Sequence, residues 1–308
     1  MASRPEKLLL LDTASLYFRA FHGVPDKVKA DDGTSVNAAR GLLDIIAKLV
    51  TTYEPTRLVA CWDDDWRPGW RVDLLPTYKA HRVVETVTGA PDVEEVPEAL
   101  TAQIPLIRET LETLGLAIVG APEHEADDVI GTLAARADVP VDIVTGDRDL
   151  FQLVDDDRGI RVIYTARGMS NLEIIDDAAV QARYGIRAAQ YADFAALRGD
   201  PSDGLPGVPG IGEKSAAALL AAGGDLGGIR SAAAEGTVGS PAQRAKILAA
   251  ADYLDVAPTV VRVVRGLDLA PADDRITVDD ARAEAATDLA GRWNLGTSMT
   301  RALAALRA

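Results

Sequence analysis

The chain has 308 residues, enough to bury a sizeable core as one α/β body with an added helical module. Its hydrophobic fraction of 48% is typical of a globular protein, and no apolar run is long enough to span a membrane. The formal net charge of −15 argues against a simple nucleic-acid binder, which is usually basic, unless many of the acids hold cations.

The single cysteine, Cys61, lies within an apolar run and is predicted to be a small core residue. One cysteine forms no internal disulfide, which suits a reducing compartment. The first residues lead directly into an apolar run without a small-residue cleavage site, so we expect no signal peptide. These features predict a cytoplasmic protein.

Apolar runs without alternation predict the buried strands of a mostly parallel sheet, at residues 7–11, 57–62, 116–119, 141–145 and 160–164. Asp12 ends the first run, an aspartate triplet at 63–65 follows the second, and Asp147 and Asp149 follow the fourth. Because the carboxyl ends of parallel strands line the crevice of an open sheet, we expect these acids to face one site.

Helices are predicted at residues 13–21, 38–51, 97–114, 241–254 and 297–306. Ser35 is predicted to cap the second of these helices. After residue 185 the chain becomes rich in alanine and in Gly/Pro turns. This change predicts an α/β core at residues 1–185 and a helical module at residues 186–308. The aspartate triplet at 155–157 is predicted to lie in a solvated loop.

Acids crowd the start of a predicted helix, where Glu125, Asp127 and Asp128 lie within four residues. A helix start favours acids because of its dipole, so capping alone is a sufficient explanation for some of them. Three acids this close also repel one another and raise each other's pKa. Bound divalent cations would compensate that repulsion, since Mg²⁺ and Mn²⁺ prefer carboxylate oxygens.

The stretch 198–215 combines two carboxylates with a glycine-rich turn. Asp200 and Asp203 come first, and Pro and Gly residues then interrupt any helix. The turn at 210–215 opens a helix, so its backbone N–H groups can hold a phosphate together with Lys214. A Gly-x-Gly turn on its own more often joins two helices than binds a phosphate.

The densest basic stretch runs from Trp70-Arg71 to Arg82 and includes Tyr78 and Lys79. By itself it is typical of a solvated basic turn. No His/Cys cluster suggests zinc, and the sequence has neither a Ser–His–Asp grouping nor a Walker loop. The candidate chemistry is therefore that of carboxylates, cations and phosphates.

These motifs, in this order, resemble the 5′ nuclease family, which comprises the flap endonucleases and the 5′–3′ exonuclease domain of bacterial DNA polymerases. The stretch 198–215 is similar to the family's helix–three-turn–helix, which grips duplex DNA around a potassium ion. Glu-Ala-Asp-Asp, Asp-x-Asp-Leu and Tyr-Lys-x-x-Arg also match, whereas Gly204 replaces the family's usual Asn. The resemblance covers residues 7–306.

The resemblance implies a PIN-like, mostly parallel sheet flanked by helices, with a helical arch near 78–98. It also implies a helix–three-turn–helix at about 190–222 and C-terminal helices that pack back on the core. The arch, at residues 83–96, is expected to be short and mobile.

The resemblance further implies two Mg²⁺ or Mn²⁺ ions, with K⁺ in the helix–three-turn–helix. Such a pair of ions activates water and stabilises the leaving oxygen of a phosphodiester. The first ion would be held mainly by Asp12, Asp63, Glu125, Asp127, Asp128 and Asp147. The second would be held mainly by Asp149, Asp200 and Asp203. An ungapped count back from Lys79 favours Asp64 as the ligand, whereas the position directly after the strand favours Asp63. We choose Asp63, because the geometry of a sheet varies less than the length of a loop.

The cations are assigned by the same resemblance. Lys79 and Arg82 would face the scissile phosphate, with Arg19 beside them. The residues that would contact DNA are Arg71, Tyr78 by stacking on a base, Gly207, Gly210, Gly212, Lys214 and Ser215.

The implied protein is a freestanding 5′–3′ exonuclease and 5′-flap endonuclease that removes primers and flaps in replication and repair. It would act as a monomer on 5′ flaps, on nicked or gapped duplex and on RNA-primed strands. A DNA polymerase and a ligase are its expected partners, and no membrane is involved. The alternatives are a catalytically silent relative that binds branched DNA, and a PIN-type ribonuclease.

Overall fold

The computed structural model describes residues 5–85 and 92–308, and within them one sheet of six strands organises the core. The strands of this sheet are β1 (Leu8–Asp12), β2 (Arg57–Cys61), β5 (Ala117–Val119), β6 (Val141–Thr145), β7 (Ile160–Tyr164) and β8 (Glu173–Ile175), while β3 (Val83–Glu85) and β4 (Val93–Glu94) pair separately. The order in the sheet is β5-β2-β1-β6-β7-β8. All neighbouring strands are parallel except β7 and β8, so the predicted mostly parallel sheet is confirmed.

The helices of the core are α1 (Thr13–Gly23), α2 (Asn37–Tyr53), α3 (Gly69–Leu74), α4 (Glu98–Thr101), α5 (Ile104–Thr113), α6 (Ala126–Arg136) and α7 (Asp177–Tyr184). The helices that follow are α8 (Tyr191–Arg198), α9 (Glu213–Gly223), α10 (Leu226–Glu235), α11 (Pro241–Ala249), α12 (Ala251–Val261), α13 (Asp280–Arg292) and α14 (Gly296–Leu306). Within the described ranges, no helix is both long and apolar enough to cross a bilayer.

The sheet is covered on both faces, which explains why its strands are apolar without alternation. Along β1, Leu8 and Leu10 pack into one hydrophobic cluster, which continues into α6, α8 and α9. Leu9 and Leu11 pack into the other cluster, which contains α1, α2 and α5. Helices α13 and α14 belong to this second cluster and lie against α5 and α2.

Three local predictions were wrong. Ser35 does not cap α2: its hydroxyl donates to Asp26, and the Gln103 side chain accepts from the Ala38 amide at 2.8 Å. The predicted helix 97–114 divides into α4 and α5, because Pro105 in the first turn of α5 lacks an amide proton. The predicted helix 241–254 is two helices, because α11 ends at Ala249 and α12 begins at Ala251.

The predicted helical arch near 78–98 was also wrong in its described part. Residues Ala80–Arg82 form one turn of 3₁₀ helix, and β3 and β4 then pair as an antiparallel ribbon. The β-branched valines of this segment, Val83, Val84 and Val93, suit a ribbon better than a helix. The expected mobile centre of the arch, at residues 86–91, lies outside the described residues.

Candidate active site

A cleft of about 1280 Å³ opens beside the carboxyl ends of β1, β2 and β6. The chain adds β2 and β5 on one side of β1 and then β6, β7 and β8 on the other, so the strand order reverses between β1 and β6. Such a reversal of strand order leaves a crevice at the strand ends. The predicted residues that line this cleft are Asp12, Arg19, Asp63, Lys79, Arg82, Glu125, Asp127 and Asp147.

The elements of the core fix the first group of acids. Asp12 ends β1 and caps α1, accepting from the Ser15 amide at 3.1 Å and from the Thr145 hydroxyl at 2.6 Å. Asp63 follows β2 and accepts from the Ala126 amide at 2.7 Å, which ties that strand end to the start of α6. Because both side chains are held by backbone elements, their positions are set before any ligand binds.

Burial and mutual repulsion raise the pKa values of this first group. Burial, and then Asp63, raise the pKa of Asp12 to about 7. Burial, and then Glu125 and Asp128, raise the pKa of Asp63 to about 6. The pKa of Asp127 lies well above its usual range because of burial and of Asp147 and Asp12. Carboxylates held this close repel one another, and a bound cation would relieve that repulsion.

The acids of the second group are not among the residues that line this cleft: Asp149 follows β6, and Asp200 and Asp203 lie on the turn that follows α8. Burial, with Asp147 and Asp203, raises the pKa of Asp149 well above its usual range. Burial raises the pKa of Asp203 to about 6. Asp200 is buried, accepts from Arg198 at 2.8 Å and lies 3.6 Å from Arg148. Asp147 is thus the electrostatic neighbour of both groups.

The donor chemistry of these acids fits hard divalent cations. All the donors are carboxylate oxygens, and Oδ1 of Asp149 is buried without a hydrogen-bond partner. Mg²⁺ and Mn²⁺ prefer such oxygens and keep several waters. No three Asp, Glu, His or Cys side chains among the described residues already have the spacing of a coordination sphere. Water ligands and small side-chain rotations would therefore have to complete each site.

Glu125 is the most heavily paired acid of the cleft. It accepts from Arg71, from the Tyr78 hydroxyl at 2.6 Å, and from the ammonium group of Lys79. Burial raises the pKa of Glu125, but Lys79 and Arg71 outweigh it, so the net direction is downward. Glu125 therefore stays ionised and holds Lys79 at the cleft, and its role as a metal ligand stays a prediction.

Two predicted DNA contacts were wrong, because both side chains are internal. Arg71 is 2% exposed, and its guanidinium binds Asp128 at 2.8 and 2.9 Å and the Val260 carbonyl at 3.1 Å. Tyr78 is buried with its hydroxyl on Glu125, so its ring has no face open to a base. The basic composition of this stretch indicated charge but not which side chains turn inward.

Two more site predictions were wrong for the same reason. Asp128 is fully buried, both of its carboxylate oxygens accept from the Arg71 guanidinium, and one also accepts from the Val264 amide at 2.8 Å, so neither oxygen is free to bind a metal. Gly207 is buried, and its amide donates to the Tyr253 hydroxyl at 3.2 Å instead of pointing to a phosphate. Asp128 thus joins α6 to α3 and to the segment after α12, and Gly207 joins the turn after α8 to α12.

The remaining predicted cations face the acids. Lys79 adopts a left-handed backbone, with φ of 47°, and lines the cleft. Arg82 donates to the Ser202 carbonyl at 2.9 Å and lies 3.6 Å from Asp203. Arg19 lines the cleft, and its Nε is buried without a partner. Three positively charged side chains therefore line the same cleft as the acids.

Beyond Gly207 the glycine-rich turn of the helical module exposes Gly210 and Gly212, whereas Val208 and Ile211 are buried. Gly210 has φ of 76°, and Gly212 precedes the first turn of α9, which carries Lys214 and Ser215. A Cβ at position 210 would overlap Nζ of Lys246, which projects from α11. Sequence reasoning missed Lys246, because its proximity to the turn depends on how α11 packs.

Two family models match the chain. The model described as the 5′-3′ exonuclease N-terminal resolvase-like domain matches residues 7–185, and the one described as the 5′-3′ exonuclease C-terminal SAM fold matches residues 186–284. The chain belongs to the 5′-3′ exonuclease family. The predicted family and enzyme class are confirmed.

Curated relatives of the family are similar over nearly the whole exonuclease chain. A 5′-3′ exonuclease of Streptomyces coelicolor is 56% identical over 301 residues, covering 97% of this chain and 100% of the relative. A 5′-3′ exonuclease of Mycobacterium tuberculosis is 49% identical over 309 residues, covering 97% of each chain. Among solved structures, the T5 D15 protein co-crystallised with metal ions has a TM-score of 0.65 at 17% identity, covering 98% of this chain and 100% of that one, and shows the same fold.

The choice between Asp63 and Asp64 is clearer in this exonuclease fold than in the sequence. Both side chains line the cleft, but Asp63 accepts from the Ala126 amide and raises the pKa of Asp12, whereas Asp64 is exposed beside Gly120. This geometry supports Asp63 as the ligand, and the assignment stays a prediction.

The raised carboxylate pKa values predict that the metal-free enzyme gains stability as the pH falls. An aspartate whose ordinary pKa is 3.8 and that titrates at about 6 in the fold, as Asp63 does, binds its proton more tightly when folded. Its contribution to the free energy of unfolding is complete below about pH 4 and is lost as the pH rises through about 6. We expect Asp63→Asn, measured in EDTA, to raise Tm more at about pH 8 than at about pH 5.

The control for this prediction is Asp157→Asn, on the 3₁₀ turn Asp156–Arg158 and outside the cleft. We expect its Tm to follow the wild type at every pH. Melting curves in EDTA across this range provide the comparison. An Asp63→Asn increment that does not change with pH would contradict the assigned electrostatics.

Proposed function

We propose that this protein is a divalent-metal-dependent 5′ nuclease that removes nucleotides from DNA 5′ ends and cuts 5′ flaps. The observation that carries the proposal is the convergence of Asp12, Asp63, Asp127 and Asp147 on one cleft with Lys79 and Arg82. Acids at this density need cations, and the adjacent positive groups suit a phosphate. Family membership supplies the reaction class.

The residues would divide the work as follows. Divalent ions, when bound, would supply an activated water and stabilise the leaving oxygen. Asp12, Asp63, Asp127 and Asp147 would hold one ion, and Asp149, Asp200 and Asp203 the other. Lys79 and Arg82 would orient the scissile phosphate and stabilise the negative charge that develops on it. Glu125 would hold Lys79 in place and shield it from the neighbouring acids.

Structural neighbours are consistent with this function. One is described as the T5 D15 flap endonuclease in a pseudo-enzyme-product complex with DNA and metal ions, with a TM-score of 0.62 at 16% identity. Another is described as the catalytic core of Rad2 in complex with DNA substrate, with a TM-score of 0.57 at 17% identity. We extend DNA and metal binding to this chain because its own cleft has the matching charges. A choice of Mg²⁺ or Mn²⁺, K⁺ at the turn, polymerase and ligase partners, a monomeric state and a cytoplasmic location remain predictions.

Cleavage of a labelled 5′-flap DNA tests the proposal. We expect product with Mg²⁺ or Mn²⁺, none in EDTA, and little from a matched 3′-flap or from single-stranded RNA. Undiminished flap binding in EDTA with no product in any metal would favour the silent DNA-binding relative. Preferential cleavage of RNA would favour the PIN-type ribonuclease. Either result would contradict the proposed function.

We further propose that Lys214 and Lys246 form a phosphate-binding pair on the helical module. Both side chains are exposed, and neither makes a hydrogen bond or ion pair within the described part of the chain. Lys214 lies in the first turn of α9, and Lys246 reaches the same glycine turn from α11. Exposed lysines without a carboxylate partner keep their full charge for an anion, and the exposed glycine turn lets a DNA backbone approach closely.

Lys246→Ala should therefore weaken duplex binding and reduce its salt dependence. Loss of one phosphate contact lowers the slope of log K against log salt by about 0.9. Lys214→Ala should act similarly, whereas Arg230→Ala, whose guanidinium is paired with Asp255 at 2.7 Å, should leave the slope unchanged. Fluorescence anisotropy with a nicked duplex at several salt concentrations measures the slopes. Equal slopes for wild type and Lys246→Ala would remove Lys246 from the DNA surface.

A further inference from the structure

The turn 200–205 docks backbone to backbone on the segment 77–82 that carries Lys79. The Lys79 amide donates to the Asp203 carbonyl at 3.1 Å, and Arg82 donates to the Ser202 carbonyl at 2.9 Å. Gly204 lies directly against Thr77. A Cβ at position 204 would overlap the Thr77 carbonyl oxygen and would lie 2.9 Å from its carbonyl carbon. The two backbones are therefore closer than a residue with a side chain allows.

The Lys79 backbone needs this support. Its φ of 47° is left-handed, a region that long side chains rarely occupy. Strained backbone persists where surrounding contacts hold it, and such sites are often functional. The Thr77 carbonyl that abuts Gly204 also accepts from the Ala80 amide at 3.2 Å, closing the turn around Lys79. The contact with Gly204 and the hydrogen bond to Asp203 thus hold the two ends of one strained turn.

We propose that Gly204 is a positioning residue, whose missing side chain lets the turn 200–205 hold the Lys79 backbone so that its ammonium group faces the cleft. The proposal rests on the proposed nuclease function for its catalytic consequence. It also links the turn that carries Asp200 and Asp203 directly to Lys79. A shift of either segment would move the acids and the lysine relative to each other.

A simpler explanation is that position 204 needs glycine for its own backbone, because its φ is 72°. Asparagine, the residue usual in the family, separates the two explanations, since it tolerates a left-handed backbone but adds a Cβ that would overlap the Thr77 carbonyl of this chain. Gly236 is the matched control: its φ is 80°, and a Cβ there would meet nothing within 4 Å. Gly236→Asn and Gly204→Asn therefore differ in the contact and not in the backbone angle.

The first measurement is amide hydrogen exchange of the segment 77–82 in the protein without DNA or metal. We expect Gly204→Asn and Gly204→Ala to lose protection of the Lys79 amide, and Gly236→Asn to keep it. Wild-type protein still tests the docking of the two backbones if both variants at position 204 fail to fold. A wild-type Lys79 amide that exchanges at the rate of an unstructured peptide would overturn the proposal, as would unchanged protection in folded Gly204→Asn.

The second measurement is single-turnover cleavage of a 5′ flap. We expect Gly204→Asn to lower the rate at saturating enzyme by at least about tenfold, with flap affinity changed less than about twofold. In a Lys79→Ala background the same substitution should add little, because both changes act through one group. An equal loss in both backgrounds would overturn the role assigned to Lys79. If wild-type protein cuts no flap, the proposed function fails, whereas hydrogen exchange still decides the docking.

Discussion

Asp147→Asn should abolish flap cleavage while leaving the protein folded. Asp147 lines the cleft and raises the pKa of both Asp127 and Asp149, so it stands between the two groups of acids. Removal of its charge weakens both proposed metal sites together. Metal ions contribute several kcal/mol to such reactions, so we expect the rate to fall by about a thousandfold or more.

The test measures single-turnover cleavage and thermal unfolding of the same preparations. In EDTA, Asp147→Asn should melt at or above the wild-type Tm, because one repelling charge is gone. Asp157→Asn, on an exposed turn away from the cleft, should cleave like the wild type. Turnover of Asp147→Asn within about tenfold of wild type would contradict the site, and a large fall in its Tm would assign the loss to unfolding.

Arg71→Ala should cause the largest loss of stability of any single change considered for this chain. Arg71 is buried between Glu125 and Asp128, and its Nε donates to the Val260 carbonyl at the end of α12. Its removal leaves Asp128 buried without a cation and leaves Glu125 with Lys79 alone. Breaking a buried ion pair in this way costs about 3–5 kcal/mol. Urea unfolding in EDTA measures the change.

Arg292→Ala is the control for Arg71→Ala. Arg292 pairs with Glu109 at 3.0 Å on the surface, where both side chains are largely exposed. Exposed pairs are worth at most about 1 kcal/mol, so its free energy of unfolding should change little. Arg71→Lys should restore only part of the loss, because an ammonium group does not reproduce the two-pronged contact with Asp128. Wild-type stability with weaker DNA binding in Arg71→Ala would restore Arg71 as a DNA contact.

The sequence predicted the sheet and its acidic edge because both depend on local patterns. Apolar runs such as β1 and β6 read as buried strands, and the acids that follow them must lie at strand ends. Ser35 shows where local patterns fail. The amides at the start of α2 are satisfied by Gln103, 65 residues away in the chain, so the nearby serine is not needed as a cap. Contacts of this kind depend on packing that the sequence pattern does not contain.

The errors in the site have the same origin. Arg71, Tyr78 and Asp128 have the residue types of a DNA-binding metal site, but their side chains face each other inside the fold. Lys246 is separated from the glycine turn by α9 and α10, so no spacing in the sequence indicated their proximity. Gly204 departs from the asparagine that is usual in the family, and the Thr77 carbonyl occupies the space that a side chain at this position would need.

A crystal of this protein soaked in Mn²⁺, with anomalous diffraction data, tests most directly whether the scattered acids share bound cations. We expect two anomalous peaks. One should lie among Asp12, Asp63, Asp127 and Asp147, and the other beside Asp149, Asp200 and Asp203. Peaks elsewhere on the surface, or none in the cleft at saturating Mn²⁺, would contradict a shared cation site.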